Sequence, residues 1–195
     1  MNNTPLEIEY PCRSCPPTGY ILSIKERKYN MGVILVDRNK LYVTYSDTDT
    51  FDMDRIMTNT NLLPEYNCKP MSALWGSPVN AEYGWKEWCE DNEYDYKFDH
   101  PIYWRLKEGT KILTIDRSDV EDEDHSILQK YITIKFDSRL FDFKKMKEDG
   151  IDAVELLDAC VGHFGMNRLE MMFNSWDCES IVVLNPSKII LKSSL

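Results

Sequence analysis

Glu179-Ser-Ile-Val-Val-Leu-Asn-Pro186 is a segment near the end of the chain that joins a leading carboxylate, four consecutive apolar residues and a closing proline. Ile and Val favour β-structure because their branched side chains pack well on a pleated surface. Proline cannot donate to a strand ladder, so it marks the end of the run. The segment therefore predicts a strand over residues 179–184 that begins with a glutamate.

Working outward, we predict strands where β-branched and aromatic residues are dense and helices where apolar residues recur at helical spacing. The predicted strands cover residues 32–36, 41–45, 72–77, 101–106, 111–115 and 151–156. The predicted helices cover residues 51–57, 83–90 and 141–148, the last stopped by Gly150. Residues 37–40 are expected to form a hairpin turn, residues 58–70 a loop, and the acid-rich residues 116–124 a solvated loop. Without a regular βαβ rhythm, this order predicts an α+β fold.

Size and charge limit the class of protein. The chain has 195 residues, 43% of them hydrophobic, and a formal net charge of -10. We expect an N-terminal arm over residues 1–30 and a single α+β domain over residues 31–195. An acidic chain is not expected to bind nucleic acid non-specifically, because that affinity comes from Lys and Arg. Neither a membrane span nor a secretory signal is found, so we expect a cytoplasmic protein.

Six cysteines without a secretory signal indicate free thiols or metal ligands rather than a disulfide framework. Cys12-x-x-Cys15 and Cys160-x-x-His163 each have the spacing of a zinc half-site. They lie at opposite ends of the chain, so they meet only if the arm folds back. The alternative is a set of unrelated thiols, some buried as small hydrophobes, and we assign no metal to the functional site.

Three segments carry a resemblance to a known superfamily. They are the strand over residues 41–45, the segment Leu74-Trp-Gly-Ser77, and the strand led by Glu179. In this order they resemble the ADP-ribosyltransferase superfamily, whose split β-sheet holds NAD between a first strand, a second strand with a small hydroxyl residue, and a late strand presenting glutamate. The resemblance covers roughly residues 40–190. It implies a split, twisted antiparallel sheet flanked by short helices.

Two motifs also resemble an uncharacterised family of phage and bacterial proteins. Lys69-Pro-Met-Ser-Ala-Leu-Trp-Gly-Ser77 followed by Gly84-Trp-Lys-Glu-Trp-Cys89 is similar to that family's Lys-Pro-x-Gly-Leu-Trp-x-Ser and Gly-Trp-x-x-Trp-Cys. Ala73 stands where that family usually has glycine. The closing segment Trp176-Asp-Cys-Glu-Ser-Ile-Val-Val-Leu-Asn-Pro-Ser-Lys-Ile189 is similar to the superfamily's Glu-x-Val-Val-x-x-Pro-x-x-Ile.

The resemblance implies an NAD-dependent ADP-ribosyltransferase or NAD-cleaving relative of phage or bacterial origin that modifies a host protein. Glu179 would be the catalytic carboxylate, because a carboxylate stabilises the positive charge that develops on the ribose as the nicotinamide bond breaks. Ser77 would fix the nicotinamide or ribose, and Tyr42 or Tyr45 would stack on the nicotinamide ring. Thr44 and Trp75 would complete the NAD wall.

Other hypotheses remain open. The superfamily usually has His or Arg on the first strand, which here offers tyrosines and a threonine. That difference favours a non-enzymatic module whose acidic face occupies a basic surface of a host partner, and the two half-sites allow a zinc-stabilised interaction domain. Glu179 could be a strand-end carboxylate or the partner of a cation, and Glu155 and Glu170 are rival carboxylates. The enzyme hypothesis requires Glu179, Ser77 and the strand over residues 41–45 to line one cleft.

Overall fold

The computed structural model describes residues 33–35, 40–52, 64–65, 69–70, 73–96, 98–135, 137–163 and 167–192. Its strands, in chain order, are β1 Val33–Leu35, β2 Tyr42–Ser46, β3 Pro64–Glu65, β4 Lys69–Pro70, β5 Leu74–Pro78, β6 His100–Leu106, β7 Lys111–Ile115, β8 Ile132–Lys135, β9 Ser138–Phe141, β10 Ala153–Leu156, β11 Ser180–Val183 and β12 Ile189–Leu191. Its α-helices are α1 Trp85–Asp91, α2 Arg117–Glu121, α3 Phe143–Glu148 and α4 Arg168–Met171. Three 3-10 turns cover Glu123–His125, Ile127–Tyr131 and Pro186–Lys188.

One large sheet organises the fold. Its eight strands run in the order β1-β7-β10-β11-β5-β2-β6-β12. β7 and β10 are parallel, and the other neighbouring pairs of this sheet are antiparallel. The short ladders β3–β4 and β8–β9 are separate from it. The predicted α+β class is therefore confirmed, with a sheet that is mostly antiparallel.

The sheet buries both of its faces at its centre, where β10 and β11 have no exposed residue. Successive strand residues point to opposite faces, so each strand feeds two cores. One core gathers Val154 and Val182 with residues of the β8–β9 hairpin and of the turn after α4, such as Phe141 and Phe173. The other gathers residues of the opposite face, among them Tyr42, Trp104, Ile112, Ala153 and Ile181. Two packed layers thus hold the strands that carry the candidate site.

Several local predictions are confirmed, because segments rich in β-branched and aromatic residues form strands irrespective of the strands with which they pair. The strands predicted over residues 41–45, 72–77, 101–106, 111–115, 151–156 and 179–184 all form, within two residues at each end. The helices predicted over residues 83–90 and 141–148 form as α1 and α3, although Phe141 belongs to β9. Gly150 follows α3 in the left-handed conformation, with φ 83.

Other local predictions are wrong. The hairpin between residues 32–36 and 41–45 does not form, because β1 pairs with β7 while β2 pairs with β5 and β6. The acid-rich run is not a loop, since Asp116 caps α2 by accepting hydrogen bonds from the backbone N–H groups of Ser118 and Asp119. Within the predicted loop 58–70, β3 and β4 pair. Sequence alone could not supply these pairings, which depend on distant segments.

Two predictions fall outside what the structure describes. The arm over residues 1–30 lies wholly beyond the described residues, and the helix predicted over residues 51–57 lies mostly beyond them. Among the residues that are described, no helix is long and apolar enough to cross a membrane.

Candidate functional site

A cavity of about 300 Å³ opens between β2 and β5, and we call it the split cavity. The two strands pair at Tyr42–Pro78 and Val43–Ser77 only. Past this short ladder, residues of both strands face the cavity instead of each other. The residues that line it are Val43, Thr44, Tyr45, Lys69, Trp75, Gly76, Ser77, Trp85, Tyr96, Asp177, Cys178 and Ser180. The volume is at the lower end for a ligand pocket and suits a small molecule or one half of a dinucleotide.

Thr44 holds the open end of the two strands together. Its hydroxyl donates to the carbonyl oxygen of Trp75 at 2.5 Å and accepts from the indole Nε1 of Trp104 at 3.0 Å. A threonine hydroxyl has a single donor hydrogen, so this one is already used within the protein. Thr44 therefore contributes to the cavity chiefly by fixing its shape.

Ser77 joins β5 to the start of α1. Its side chain is almost fully buried, and its hydroxyl oxygen accepts a hydrogen bond from the backbone N–H of Trp85 at 3.0 Å. Helix N-termini leave backbone donors without intrahelical partners, so this bond stabilises the start of α1. Gly84 permits the close approach, because a Cβ at this position would lie 3.2 Å from the Cβ of Ser77. Ser77 thus lies in the cavity wall and also sets the position of Trp85.

Aromatic rings form most of the cavity wall. Trp75 packs edge-on against the buried Trp176, with centroids 4.9 Å apart. Across the cavity, Trp85 and Tyr96 meet at 5.7 Å, and the Tyr96 hydroxyl donates to the carbonyl oxygen of Tyr45 at 3.2 Å. Burial raises the pKa of Tyr45, and the charge of Glu87 raises it further. The Tyr45 ring is therefore partly desolvated and lies near a carboxylate.

One ion pair adds polar groups to this apolar wall. The Lys69 ammonium lies 3.1 Å from the Asp177 carboxylate and 5.6 Å from the centroid of the Trp75 ring. Both charged side chains are about one third exposed. The pair is worth little as a stabilising contact at that exposure. Lys69 is consequently a cation at the cavity that a bound anion can engage.

Glu179 lies beside the split cavity but not in its wall. Its flanking residues, Cys178 and Ser180, line the cavity, whereas its carboxylate accepts a 3.4 Å hydrogen bond from the backbone N–H of Tyr83. The Glu179 backbone N–H in turn donates to the Tyr83 carbonyl at 2.9 Å. Burial raises the pKa of Glu179 to about 7, and the charge of Glu82 contributes to the rise. This is a desolvated carboxyl one residue away from an aromatic cavity.

Tyr42 is placed differently from the prediction. Its side chain is fully buried on the opposite face of the sheet, stacked on Trp104 with centroids 4.9 Å apart. Residues 42 and 45 differ by an odd number of positions, so their side chains leave a strand on opposite faces. Tyr45 lines the cavity, whereas Tyr42 packs in the core and does not line it.

The rival carboxylates have other roles. Glu155 is 1% exposed, and its Oε1 lies 2.7 Å from the Lys40 ammonium. The two groups form an ion pair whose geometry is not that of a hydrogen bond. Glu170 lies at the start of α4, where its carboxylate accepts from the backbone N–H of Asn167 at 3.3 Å. Neither residue lines the split cavity.

The cysteine predictions have a mixed outcome. Cys89 and Cys178 are free, buried thiols, as expected for small hydrophobes. Cys160 is disulfide-bonded, so the expectation of free thiols is wrong at that position, and a sulfur so engaged is not a thiolate ligand for zinc. Cys12 and Cys15 lie outside the described residues. No cluster of three or more metal-ligating side chains occurs among the residues that are described.

Of the predicted site residues, Thr44, Tyr45, Trp75 and Ser77 come together and Glu179 adjoins them. Sequence reasoning missed a further set of wall residues, namely Lys69, Trp85, Tyr96, Asp177, Cys178 and Ser180. A usable signal was present for all of these except Tyr96. Lys69 and Trp85 belong to the two motifs, and Asp177, Cys178 and Ser180 to the closing segment, that carried the resemblance, and all three segments converge on the cavity. Comparison of the chain with protein-family models, curated proteins and solved structures found no match.

Proposed function

We propose that this chain is an ADP-ribosyltransferase-like protein that binds NAD in the split cavity and breaks its nicotinamide–ribose bond. One observation carries the proposal. The sheet order β11-β5-β2 sets an aromatic cavity between the strand of Thr44 and Tyr45 and the Trp-Gly-Ser strand, next to the strand that follows Glu179. The enzyme hypothesis requires these three segments to line one cleft. Ser77 and β2 line the split cavity, and the Glu179 carboxylate lies beside it, so cleavage requires that side chain to turn toward the cavity.

The charge distribution of the cavity supports NAD in its oxidised form. The nicotinamide ring of NAD carries a positive charge, and aromatic faces attract cations with about 0.5–2 kcal/mol. Tyr45, Trp85 and Tyr96 provide such faces, while Lys69 is available to a phosphate. We therefore expect NAD to bind more tightly than NADH, whose nicotinamide ring is uncharged.

Glu179 is the group that would act on the ribose. As the bond from C1′ to the nicotinamide nitrogen breaks, its electron pair leaves with neutral nicotinamide. An ionised Glu179 would stabilise the positive charge on the ribose until water or an acceptor group attacks C1′. To reach a bound ribose, the carboxylate has to leave its 3.4 Å hydrogen bond with Tyr83. A hydrogen bond of that length is weak, so breaking it costs little free energy.

The test measures binding and cleavage separately. NAD and NADH are compared by thermal shift, and nicotinamide release is followed by chromatography, for the wild type, Glu179→Gln and Glu148→Gln. Glu148 is the control, since it is an exposed carboxylate at the end of α3 that does not line the cavity and does not act on the pKa of Glu179. Glu179→Gln should keep the NAD shift and lose nicotinamide release by about a hundredfold or more. Equal release by both variants would remove Glu179 from the mechanism.

A second candidate is a binding module that takes NAD, or a partner protein, without chemistry. It is favoured by the position of the Glu179 carboxylate, which contacts Tyr83 and not the cavity. An NAD-dependent thermal shift without nicotinamide release would support this candidate. Labelled NAD incubated with bacterial lysate separates the outcomes further, because transfer of label to a protein requires the enzyme. Without any NAD shift, both NAD proposals are wrong.

A further inference from the structure

A row of aromatic side chains runs outward from the split cavity to solvent, and we call it the aromatic strip. Each of its rings contacts the next, in the order Tyr45, Phe98, Tyr96, Trp85, Trp88 and Tyr94. Trp85 and Trp88 stack with centroids 5.0 Å apart and planes 12° apart. Tyr94 meets both of them, at 6.0 and 5.8 Å.

The outer part of the strip is not core. Trp85 and Trp88 are three residues apart and so share one face of α1. The only buried residue of this helix is Cys89. Both tryptophans are half-buried, and Tyr94 is 53% exposed. The strip therefore offers aromatic faces to a partner, continuous with the cavity that its inner rings line.

Acidic residues surround the strip. Residues 82–99 include seven Asp or Glu and two Lys. After burial, the charges of Glu87 and Glu90 raise the pKa of Tyr45, and the charge of Asp47 raises that of Tyr96. These acids thus act on the rings of the strip itself. Aromatic faces and carboxylates both attract cations, and here the two occur together.

We propose that the aromatic strip binds an arginine-rich segment of a partner protein. A guanidinium group stacks flat on aromatic rings and pairs with carboxylates through its fork of donors, whereas a lysine ammonium is a compact, strongly hydrated charge. A nucleic acid could also stack on the rings, but its phosphates would meet the acidic border. This binding does not rest on the proposed NAD chemistry, and it is measured without NAD.

The experiment uses the full chain and fluorescein-labelled peptides of nine arginines, nine lysines or nine citrullines, followed by fluorescence anisotropy. Citrulline keeps the shape of arginine without its charge. The arginine peptide should bind at least about threefold more tightly than the lysine peptide, because stacking adds to charge pairing. The citrulline peptide should bind weakly.

Two variants perturb the strip, and a third controls for total charge. Tyr94→Ala removes the most exposed ring, and Glu90→Gln with Glu93→Asn removes two exposed carboxylates beside it. Each should weaken the arginine peptide about threefold or more. The control, Glu148→Gln with Asp137→Asn, removes two exposed carboxylates elsewhere in the fold.

The control is matched in structure as well as charge. Glu90 and Glu148 each pair weakly with a lysine four residues earlier, at 3.8 and 3.9 Å. Glu93 and Asp137 each have a left-handed backbone, with φ 51 and 60, which asparagine tolerates.

Four results would overturn the proposal. They are no binding of the arginine peptide, equal affinity for the lysine peptide, an equal loss in the control variant, or tighter binding of a single-stranded oligonucleotide than of the arginine peptide. The NAD thermal shift of the same preparations shows separately whether the split cavity works as proposed. If the wild type binds no arginine peptide but shows the NAD shift, the result counts against the strip alone.

Discussion

Replacing Glu179 with Gln tests the environment of the carboxyl group on which the proposed chemistry depends. Burial is the main cause of the rise in its pKa from 4.5 to about 7, opposed by the Tyr83 N–H and assisted by the charge of Glu82. Because the folded chain holds this proton more tightly than the unfolded chain, Glu179 stabilises the fold at low pH. That contribution is complete below pH 4.5 and is lost as the pH rises through about 7.

The magnitude follows from the shift. Moving a pKa from 4.5 to about 7 corresponds to at most about 3.4 kcal/mol of unfolding free energy. Glu179 keeps part of its surface in water, so screening reduces the expected value to about 1–2 kcal/mol. Gln carries no charge at any pH. The difference in stability between Glu179→Gln and wild type should therefore move by about 1–2 kcal/mol in favour of the variant between pH 4.5 and pH 8.

Urea unfolding at a series of pH values measures this difference, with Glu148→Gln, which removes an exposed carboxylate at the end of α3, as the control that lacks the effect. Nicotinamide release by the wild type should rise over the same range, because only the ionised carboxylate stabilises a positive ribose. A stability difference that stays flat from pH 4.5 to pH 8 would refute the claim that Glu179 is desolvated in the folded chain.

Three further predictions concern the surroundings of the cavity. Gly76→Ala should lower the unfolding free energy by about 1–3 kcal/mol in urea, since its Cβ would lie 2.7 Å from the buried Trp104 ring; no loss would contradict that contact. Lys40→Met should cost about 3 kcal/mol by leaving the buried Glu155 without its cation, and adding Glu155→Leu should recover most of the loss. Burial raises the pKa of Cys178 to about 12. Iodoacetamide should therefore label this thiol about a hundredfold more slowly in the native protein than in the urea-unfolded protein, as measured by mass spectrometry. Equal labelling rates would show that the thiol is not buried.

Sequence patterns predicted the central strands because those segments are dense in residues that suit only a packed sheet. The predicted strand is confirmed, and its run without polar interruption suits a strand buried on both faces, since Ile181 and Val182 face opposite cores. The pairing of the strands was harder to predict from the sequence. β1 joins β7 across about 75 residues, and no local turn signal reports such a pairing.

Strand geometry decides between Tyr42 and Tyr45 once the register of β2 against β5 is known. Ser77 pairs with Val43, and paired residues of an antiparallel ladder point to the same face. Tyr45 shares that face and Tyr42 does not. What sequence lacked was the register that joins Val43 to Ser77. The position of Tyr96 was further out of reach, because it depends on the path of the loop after α1.

The acidic and aromatic composition of residues 82–99 is more than the fold requires. Packing α1 onto the sheet uses Cys89, and the helix start is held by Ser77 and by the Glu87 side chain. None of these contacts needs exposed rings or an excess of acids, and neighbouring like charges repel one another. A bound cation would relieve that repulsion. Both proposals rest on this point, since a nicotinamide ring in the cavity and a guanidinium group on Tyr94 each bring positive charge to aromatic faces.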